Sequence, residues 1–452
     1  MNIVIIGGVA AGAKAAAKIK RLLPDSKVEI YTDDTHVSYS SCGLPYYIEG
    51  NFSDYRSLLV RSVEEFKESG IDVYLESKVE KILIPQQQIL VAAPDKARLV
   101  SYDKLIIATG ARPFIPPIKG YENFNNVFTV RKIEDGINIR EKMLNSKNAV
   151  IIGSGFIGLE LLEAFVKNGL EVDLIEKNNR IMSSFDADMS EIIKARLESY
   201  HPKTFRFHIG ETVSEFFGSN GSLTTVRTLS GKEFNTDMVI ICSGIVPNVE
   251  LARDAGIELG ESGAIKVNKI MQTSAPNVYA CGDCTEERHI VSGRSAWVPL
   301  GSTANKEGRC AAMNAAGIYT EFEGVLGSAV SRCLNTTMSM TGLTELEAVQ
   351  FGYTPVTAVV SKPDKVAYMP DVGDITLKVI ADKVTGLLLG GQAVGSIGAD
   401  KRINALATAL LAHLTVQEFN QNDLTYSPPY STTIDPLLNA MSILCTKVSR
   451  PC

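Results

Sequence analysis

Ala149-Val150-Ile151-Ile152-Gly153-Ser154-Gly155-Phe156-Ile157-Gly158 is the stretch on which the reading of the whole chain turns. Four apolar residues predict a buried strand, and Gly153, Gly155 and Gly158 stand at the spacing of a dinucleotide-binding turn. The first glycine allows the tight turn, the second the close approach of a pyrophosphate, and the third close packing of helix on strand. A helix is expected from Leu159 to Asn168, capped by Gly169, then a strand from Glu171 to Ile175 ending in Glu176. A carboxylate there can accept from both ribose hydroxyls and repels a 2′-phosphate, so the pattern predicts NADH in preference to NADPH.

A looser copy opens the chain. Ile3-Val4-Ile5-Ile6 leads into Gly7-Gly8-Val9-Ala10-Ala11-Gly12, and an alanine-rich helix is expected from Ala13 to about Leu23, before Pro24. Val9 stands where the middle glycine belongs, with Gly8 beside it. At the expected ribose position Thr32 comes first and Asp33 follows. Two strand-to-loop crossings of similar form, Leu105 to Pro113 with Ala108-Thr109-Gly110, and Val239 to Pro247 with Gly244, each close one of the units with glycine and proline. Strand Val278 to Ala280 delivers Gly282-Asp283, a carboxylate placed to bind a polyol hydroxyl, and Pro299 to Met313 predicts a long helix.

Composition narrows the function classes. The chain has 452 residues, 45% of them apolar, enough for two or three cored domains. A net charge of −6 with scattered cations excludes nucleic acid as the expected partner. No apolar run has the length of a membrane span, and the chain enters its first strand without a basic leader. The eight cysteines form no regular framework, which fits a reducing, cytoplasmic setting. The Cys281/Cys284 spacing without a second pair is poor evidence for zinc, so no metal site is expected.

The reactive candidate is Cys42, in Ser38-Tyr39-Ser40-Ser41-Cys42-Gly43-Leu44-Pro45-Tyr46-Tyr47. It is expected to open a helix, whose unpaired N–H groups and dipole favour the thiolate. No second cysteine follows nearby, so Cys42 must cycle alone through a mixed disulfide, persulfide or sulfenic acid. From about Glu321 the texture changes. Ser328 to Leu334, Thr354 to Val360 and Ile375 to Ile380 alternate like antiparallel strands, helices are expected at Thr344 to Phe351 and Lys401 to His413, and Tyr426-Ser427-Pro428-Pro429-Tyr430 has the composition of an interface.

Together these motifs resemble the FAD-dependent pyridine nucleotide–disulfide oxidoreductases over nearly the whole chain, and the single cysteine resembles their coenzyme A disulfide reductase, NADH oxidase and NADH peroxidase branch. The resemblance implies an α/β fold. It has a discontinuous FAD-binding domain (1–113 and 246–320), an NAD(P)H-binding domain (114–245) and a C-terminal α+β dimerisation domain (321–452). It implies that Gly7, Gly8, Val9, Ala10 and Gly12 hold the FAD pyrophosphate, with Asp33, Ser41, Ala108, Thr109, Gly110, Gly282 and Asp283 around the rest. NADH, or NADPH, would lie on Gly153, Gly155, Phe156, Ile157, Gly158, Glu176 and Gly244, with Phe156 as a gate. Cys42 would pass electrons to a small disulfide, most simply coenzyme A disulfide or a persulfide. Tyr426 and Tyr368 would reach it from the partner of a homodimer, and Lys18, Lys20, Arg21, Arg61 and Lys67 are candidates for coenzyme A phosphates.

The alternative is an NADH oxidase or peroxidase working through a Cys42 sulfenic acid. Ala10 and Asn305 stand where that branch carries a histidine and an arginine, which argues against it. A reductase of rubredoxin-like proteins is opposed by the presence of Cys42. Some relatives add a rhodanese domain; its lack here weighs against a polysulfide substrate. Cys445 and Cys452 find no role.

Overall fold

The computed structural model describes residues 1–92, 97–200 and 204–449; Cys452 lies outside these. The two apolar runs that precede the glycine motifs become the central strands of two parallel sheets. The first sheet is ordered Val278–Ala280, Lys104–Ile107, Asn2–Ile6, Lys27–Tyr31, Ile71–Tyr74. The second is ordered Phe205–Ile209, Glu171–Glu176, Asn148–Ile152, Met238–Ile241, Val127–Phe128. Their middle strands are continuous rather than alternating because helices or loops cover both faces. Ile3, Ile5, Ile151 and Val150 are fully buried.

Both post-glycine helices start earlier than the sequence reading, at Ala10 and Phe156, because the loop residues themselves form the first turn. The Ala10–Leu22 helix buries a small-residue stripe, Ala11, Gly12, Ala15 and Ala16. This lets it lie close to the Gly301–Ala315 helix, where a Cβ on Gly308 would come within 2.4 Å of the Ala11 carbonyl oxygen. Smaller antiparallel sheets accompany each unit, at Val79–Ser101 and Val213–Asn235.

The C-terminal layer is a five-stranded antiparallel sheet ordered Ala329–Cys333, Thr336–Gly342, Leu388–Gly395, Asp374–Asp382, Pro355–Pro363. Helices Ala399–Leu411 and Pro436–Cys445 pack on it. Three of the strands and the helices at Glu345–Gln350 and Ala399–Leu411 match the sequence reading. Thr344 serves as a cap: its hydroxyl accepts from the Glu347 N–H, and the Glu347 carboxylate accepts from the Thr344 N–H. Leu388–Gly395 escaped that reading because it is rich in glycine, a poor strand former. The reason is close approach: a Cβ on Gly390 would lie 2.1 Å from the Leu343 carbonyl oxygen, and one on Gly391 2.4 Å from Leu406.

The layer is locked to the second parallel unit. Gln392 exchanges hydrogen bonds with Asp186, and Lys378, only 3% exposed on its side chain, reaches Asp186, Asp188 and Glu345 at 3.2, 3.0 and 2.8 Å. Met338 and Val394 share a core with Leu162 and Phe185. Among the described residues no helix is long and apolar enough to cross a membrane.

Candidate active site

Each glycine motif forms a cradle whose first and last glycines admit no side chain. Gly7 has φ +102°, and a Cβ on it would lie 2.1 Å from the Ala108 carbonyl oxygen; one on Gly12 would lie 1.9 Å from that of Gly7. In the second cradle the matching approaches are 2.4 Å from Gly153 to Cys242 and 2.1 Å from Gly158 to Gly153. A Cβ on Gly155 would meet nothing within 4 Å, so the face a bound group must use is open. Neither helix has a side-chain cap at its start, at Val9 or at Gly155. The first-turn N–H groups are therefore left for an anion, which is what a dinucleotide pyrophosphate brings. Each cradle can therefore take the pyrophosphate of a dinucleotide. Ala10 lies in that first turn, half-buried.

Glu176 ends its strand as expected, 6% exposed. One of its oxygens accepts from the Ser154 N–H at 2.9 Å and the Ser154 hydroxyl at 2.6 Å; the other accepts from the Asn178 N–H. It thus braces the glycine loop. Phe156 is half-buried at the helix start and Ile157 is exposed beside it. Thr109 and Asn248 exchange side-chain and backbone hydrogen bonds, and Ala111–Pro113 pairs antiparallel with Ile245–Pro247, so Ala108-Thr109-Gly110 and Gly244 are tied into one crossing. Thr32 is buried, whereas Asp33 is exposed at the rim, 3.9 Å from Lys132.

Cys42 lies in a short 3₁₀ turn, Ser41–Gly43, and the helix behind it begins at Leu44 and lasts only to Glu49. Its sulfur is 3.9 Å from where a Cβ on Gly301 would stand, so it faces the first residue of the Gly301–Ala315 helix. The expected bias toward thiolate is overturned here. The residue is exposed, but its sulfur is sunk among its neighbours, and desolvation pushes the thiol pKa up, helped by Glu160 and Asp283. Arg131 and the Ser41 hydroxyl pull the other way without prevailing. A turn of three residues before a six-residue helix offers too little dipole to offset two carboxyls.

Two of these groups, Arg131 and Glu160, and Glu307 beside them, were not singled out from the sequence. Arg131 pairs with Asp283 at 2.8 Å, and the Asp283 carbonyl accepts from Trp297. Glu160, two residues past the glycine motif, accepts from Ser331 at 2.9 Å; burial raises its pKa to about 7, and its field reaches Cys42 and Tyr46. Its position in the motif was the signal available for it. Arg131 carried none, since it arrives from a loop about 90 residues away. Glu307, fully buried, accepts from the Gly282 N–H at 2.6 Å.

The remaining predicted residues are spread out. Lys20 donates to the Ser26 carbonyl, Arg21 to that of Ala17, and Arg61 to that of Glu65 while lying over the Phe66 ring; Lys18 is half-buried on the first helix. Lys20 and Arg61 both border the Val63–Gly70 segment, where Lys67 also lies. Tyr368 and Tyr426 stand 75% and 46% exposed on the C-terminal layer, so one chain alone buries neither ring. Cys281 and Cys284 are fully buried inside the first unit.

Comparison with known proteins gives the same picture. Residues 1–308 match the pyridine nucleotide-disulphide oxidoreductase family, and residues 333–437 match the dimerisation domain of that family. The chain is 38% identical, over 98% of both chains, to an NAD(P)H coenzyme A polysulfide/persulfide reductase of Pyrococcus horikoshii. It is 33% identical, over the full length of both, to an NADH oxidase of Methanocaldococcus jannaschii. The structure of an NAD-dependent persulfide reductase from A. fulgidus superposes with a TM-score of 0.95 at 34% identity, covering 99% of this chain and 83% of that one. Two dinucleotide cradles, a lone cysteine between them and family matches on both halves place the chain in the pyridine nucleotide-disulphide oxidoreductase family.

Proposed function

We propose that this protein is an NADH-dependent flavoprotein that reduces a small disulfide, coenzyme A disulfide or a coenzyme A persulfide, through Cys42. The observation that carries the reading is the position of that sulfur: alone in its segment, against the first residue of the Gly301–Ala315 helix, in a chain with two dinucleotide cradles. FAD, held by the Gly7–Gly12 cradle and Asp283, supplies two-electron transfer between nicotinamide and sulfur. The Gly153–Gly158 cradle holds the NADH pyrophosphate, Glu176 takes the ribose and disfavours a 2′-phosphate, and Phe156 covers the nicotinamide end. We assign 1–113 and 246–320 to FAD, 114–245 to NADH, and 321–452 to dimerisation.

The Cys42 thiolate attacks one sulfur of RS–SR. A Cys42–S–S–R bond forms, and RS⁻ leaves and takes a proton as RSH. Two electrons originating in NADH, with one proton, then cleave the mixed disulfide to the Cys42 thiolate and a second RSH. Tyr426, and with it Tyr368, would enter from the partner of a homodimer and donate a hydrogen bond to the departing thiolate. Lys18, Lys20, Arg21 and Arg61 would meet the coenzyme A phosphates. A cytoplasmic location suits a thiol that must be kept reduced.

Cys42→Ser tests the reading. The variant should retain FAD and be bleached by NADH, yet turn over no coenzyme A disulfide. Full disulfide turnover in the variant would sink the assignment, and wild-type NADH oxidation that consumes oxygen stoichiometrically without releasing coenzyme A would favour the oxidase reading.

A further inference from the structure

Behind the Gly282–Asp283 loop lies a pair of carboxyls for which the chemistry above has no use. Glu307 is fully buried on the Gly301–Ala315 helix, and Glu287 is 7% exposed on strand Thr285–Arg288. Between them stands the hydroxyl of Thr285, also fully buried, with the Gly282 carbonyl oxygen at 2.7 Å, Glu287 Oε1 at 2.9 Å and Glu307 Oε2 at 3.0 Å. A hydroxyl has one hydrogen to donate. Whichever oxygen receives it, the other contacts set oxygen against oxygen unless a carboxyl supplies a hydrogen of its own. The second oxygen of each acid, Glu287 Oε2 and Glu307 Oε1, is buried with no donor, and the two carboxyls meet each other. No lysine, arginine or histidine pairs with either among the described residues.

The surroundings do not relieve this. The Gly301–Ala315 helix adds Cys310, the preceding turn adds Cys281 and Cys284, and burial keeps all three thiols neutral. Asp283 is paired with Arg131, and the Val298 N–H reaches Glu287. Burial raises the pKa of both acids; the charge of Glu307 adds to the rise at Glu287, and that of Asp283 to the rise at Glu307.

We propose that Glu287 and Glu307 hold one proton between them and that this proton ties retention of the flavin to pH. The inference rests on the reading that Gly282–Asp283 and the first glycine cradle hold FAD. Glu307 grips the Gly282 N–H at 2.6 Å, and a Cβ on Gly282 would press to 2.9 Å from that of Ala11, in the first turn of the Ala10–Leu22 helix. The pair therefore sits where the loop, the cradle helix and the helix facing Cys42 meet. With one proton shared, this floor carries one negative charge. Without it there are two, below a loop asked to hold an anionic pyrophosphate. Binding the anion strengthens the hold on the proton, so loss of the proton weakens binding. Glu287 and Glu307 act here as positioning residues.

The test uses the FAD-loaded protein in a Glu160→Gln background, which silences the carboxyl whose pKa burial raises to about 7. Infrared spectra near neutral pH should show a protonated-carboxyl band that Glu287→Gln removes, because the amide then donates permanently to Glu307. Free FAD fluorescence measured after dilution, from about pH 7 to about pH 10, should show affinity falling with pH by up to about tenfold per pH unit, the limit for one linked proton. In Glu287→Gln this fall should be absent. Glu307→Gln, whose amide donates to Glu287, provides the same reading if Glu287→Gln fails to fold. A spectrum without the band, or variants that release FAD with the wild-type pH dependence, overturns the inference. A protein that never binds FAD instead overturns the reading beneath it.

Discussion

At the scale of single residues the site is a contest over the Cys42 proton. Desolvation, Glu160 and Asp283 favour the thiol, and Arg131 and Ser41 favour the thiolate. Glu160 is the adjustable member, its carboxyl held by a hydrogen bond from the Ser331 hydroxyl of the C-terminal layer. Its pKa near 7 means that it gains charge as pH rises through neutrality, just where a thiolate is wanted. Glu160→Gln removes that charge, so the Cys42 pKa should fall. Alkylation of Cys42 by iodoacetamide near pH 7 should then accelerate, by about tenfold for each pKa unit recovered. The rate-against-pH profile should shift to lower pH; an unmoved midpoint would remove Glu160 from the contest. Cys42 itself was legible in the sequence because it stands alone in its segment. The direction of its titration was not, because the groups that push it come from residues 131, 160 and 283.

At the scale of elements the two glycine loops share one geometry and differ in what surrounds them. In each, a Cβ added to the first or last glycine would lie 2.4 Å or less from backbone, so no larger residue can stand there without moving the helix. Gly158→Ala should therefore damage one unit selectively. We expect FAD content near wild type and dithionite bleaching intact, with reduction by NADH slowed at least about tenfold by a shift at the cradle on the order of 1 Å. Stopped-flow absorbance of the flavin separates the cases, and an unaffected NADH step would show that the helix can give way. The parallel strands were legible as unbroken apolar runs. Leu388–Gly395 was not, because its glycines answer to Leu343 and Leu406, which only folding brings beside it.

At the scale of the whole molecule, the C-terminal layer is tied to the second parallel unit by Lys378 and Gln392, while Tyr368, Tyr426 and Tyr430 remain on its surface. If the tyrosines complete the site of a second copy, each site draws on two chains. Heterodimers of a Cys42→Ser chain with a Tyr426→Phe chain then contain one site with both lesions and one with neither. Such heterodimers, isolated by two different tags, should keep about half the wild-type disulfide turnover if Tyr426 acts across the interface of a closed two-fold dimer. Activity no higher than the average of the two homodimeric variants would place Tyr426 and Cys42 in the same chain's site.

The sequence by itself determined the two strand–glycine–helix units and their order, and it singled out Cys42 as the sulfur proposed to react. These depend on local rules: apolar runs make strands, glycines at fixed spacing make a turn that fits no side chain, and a carboxylate ends the next strand. Only the tertiary structure decided the electrostatics. Arg131 on Asp283, Glu160 within reach of Cys42, and Glu287 against Glu307 are encounters between segments far apart in the chain. Charges act through space at a strength set by burial, and neither separation nor burial is written in the order of the residues.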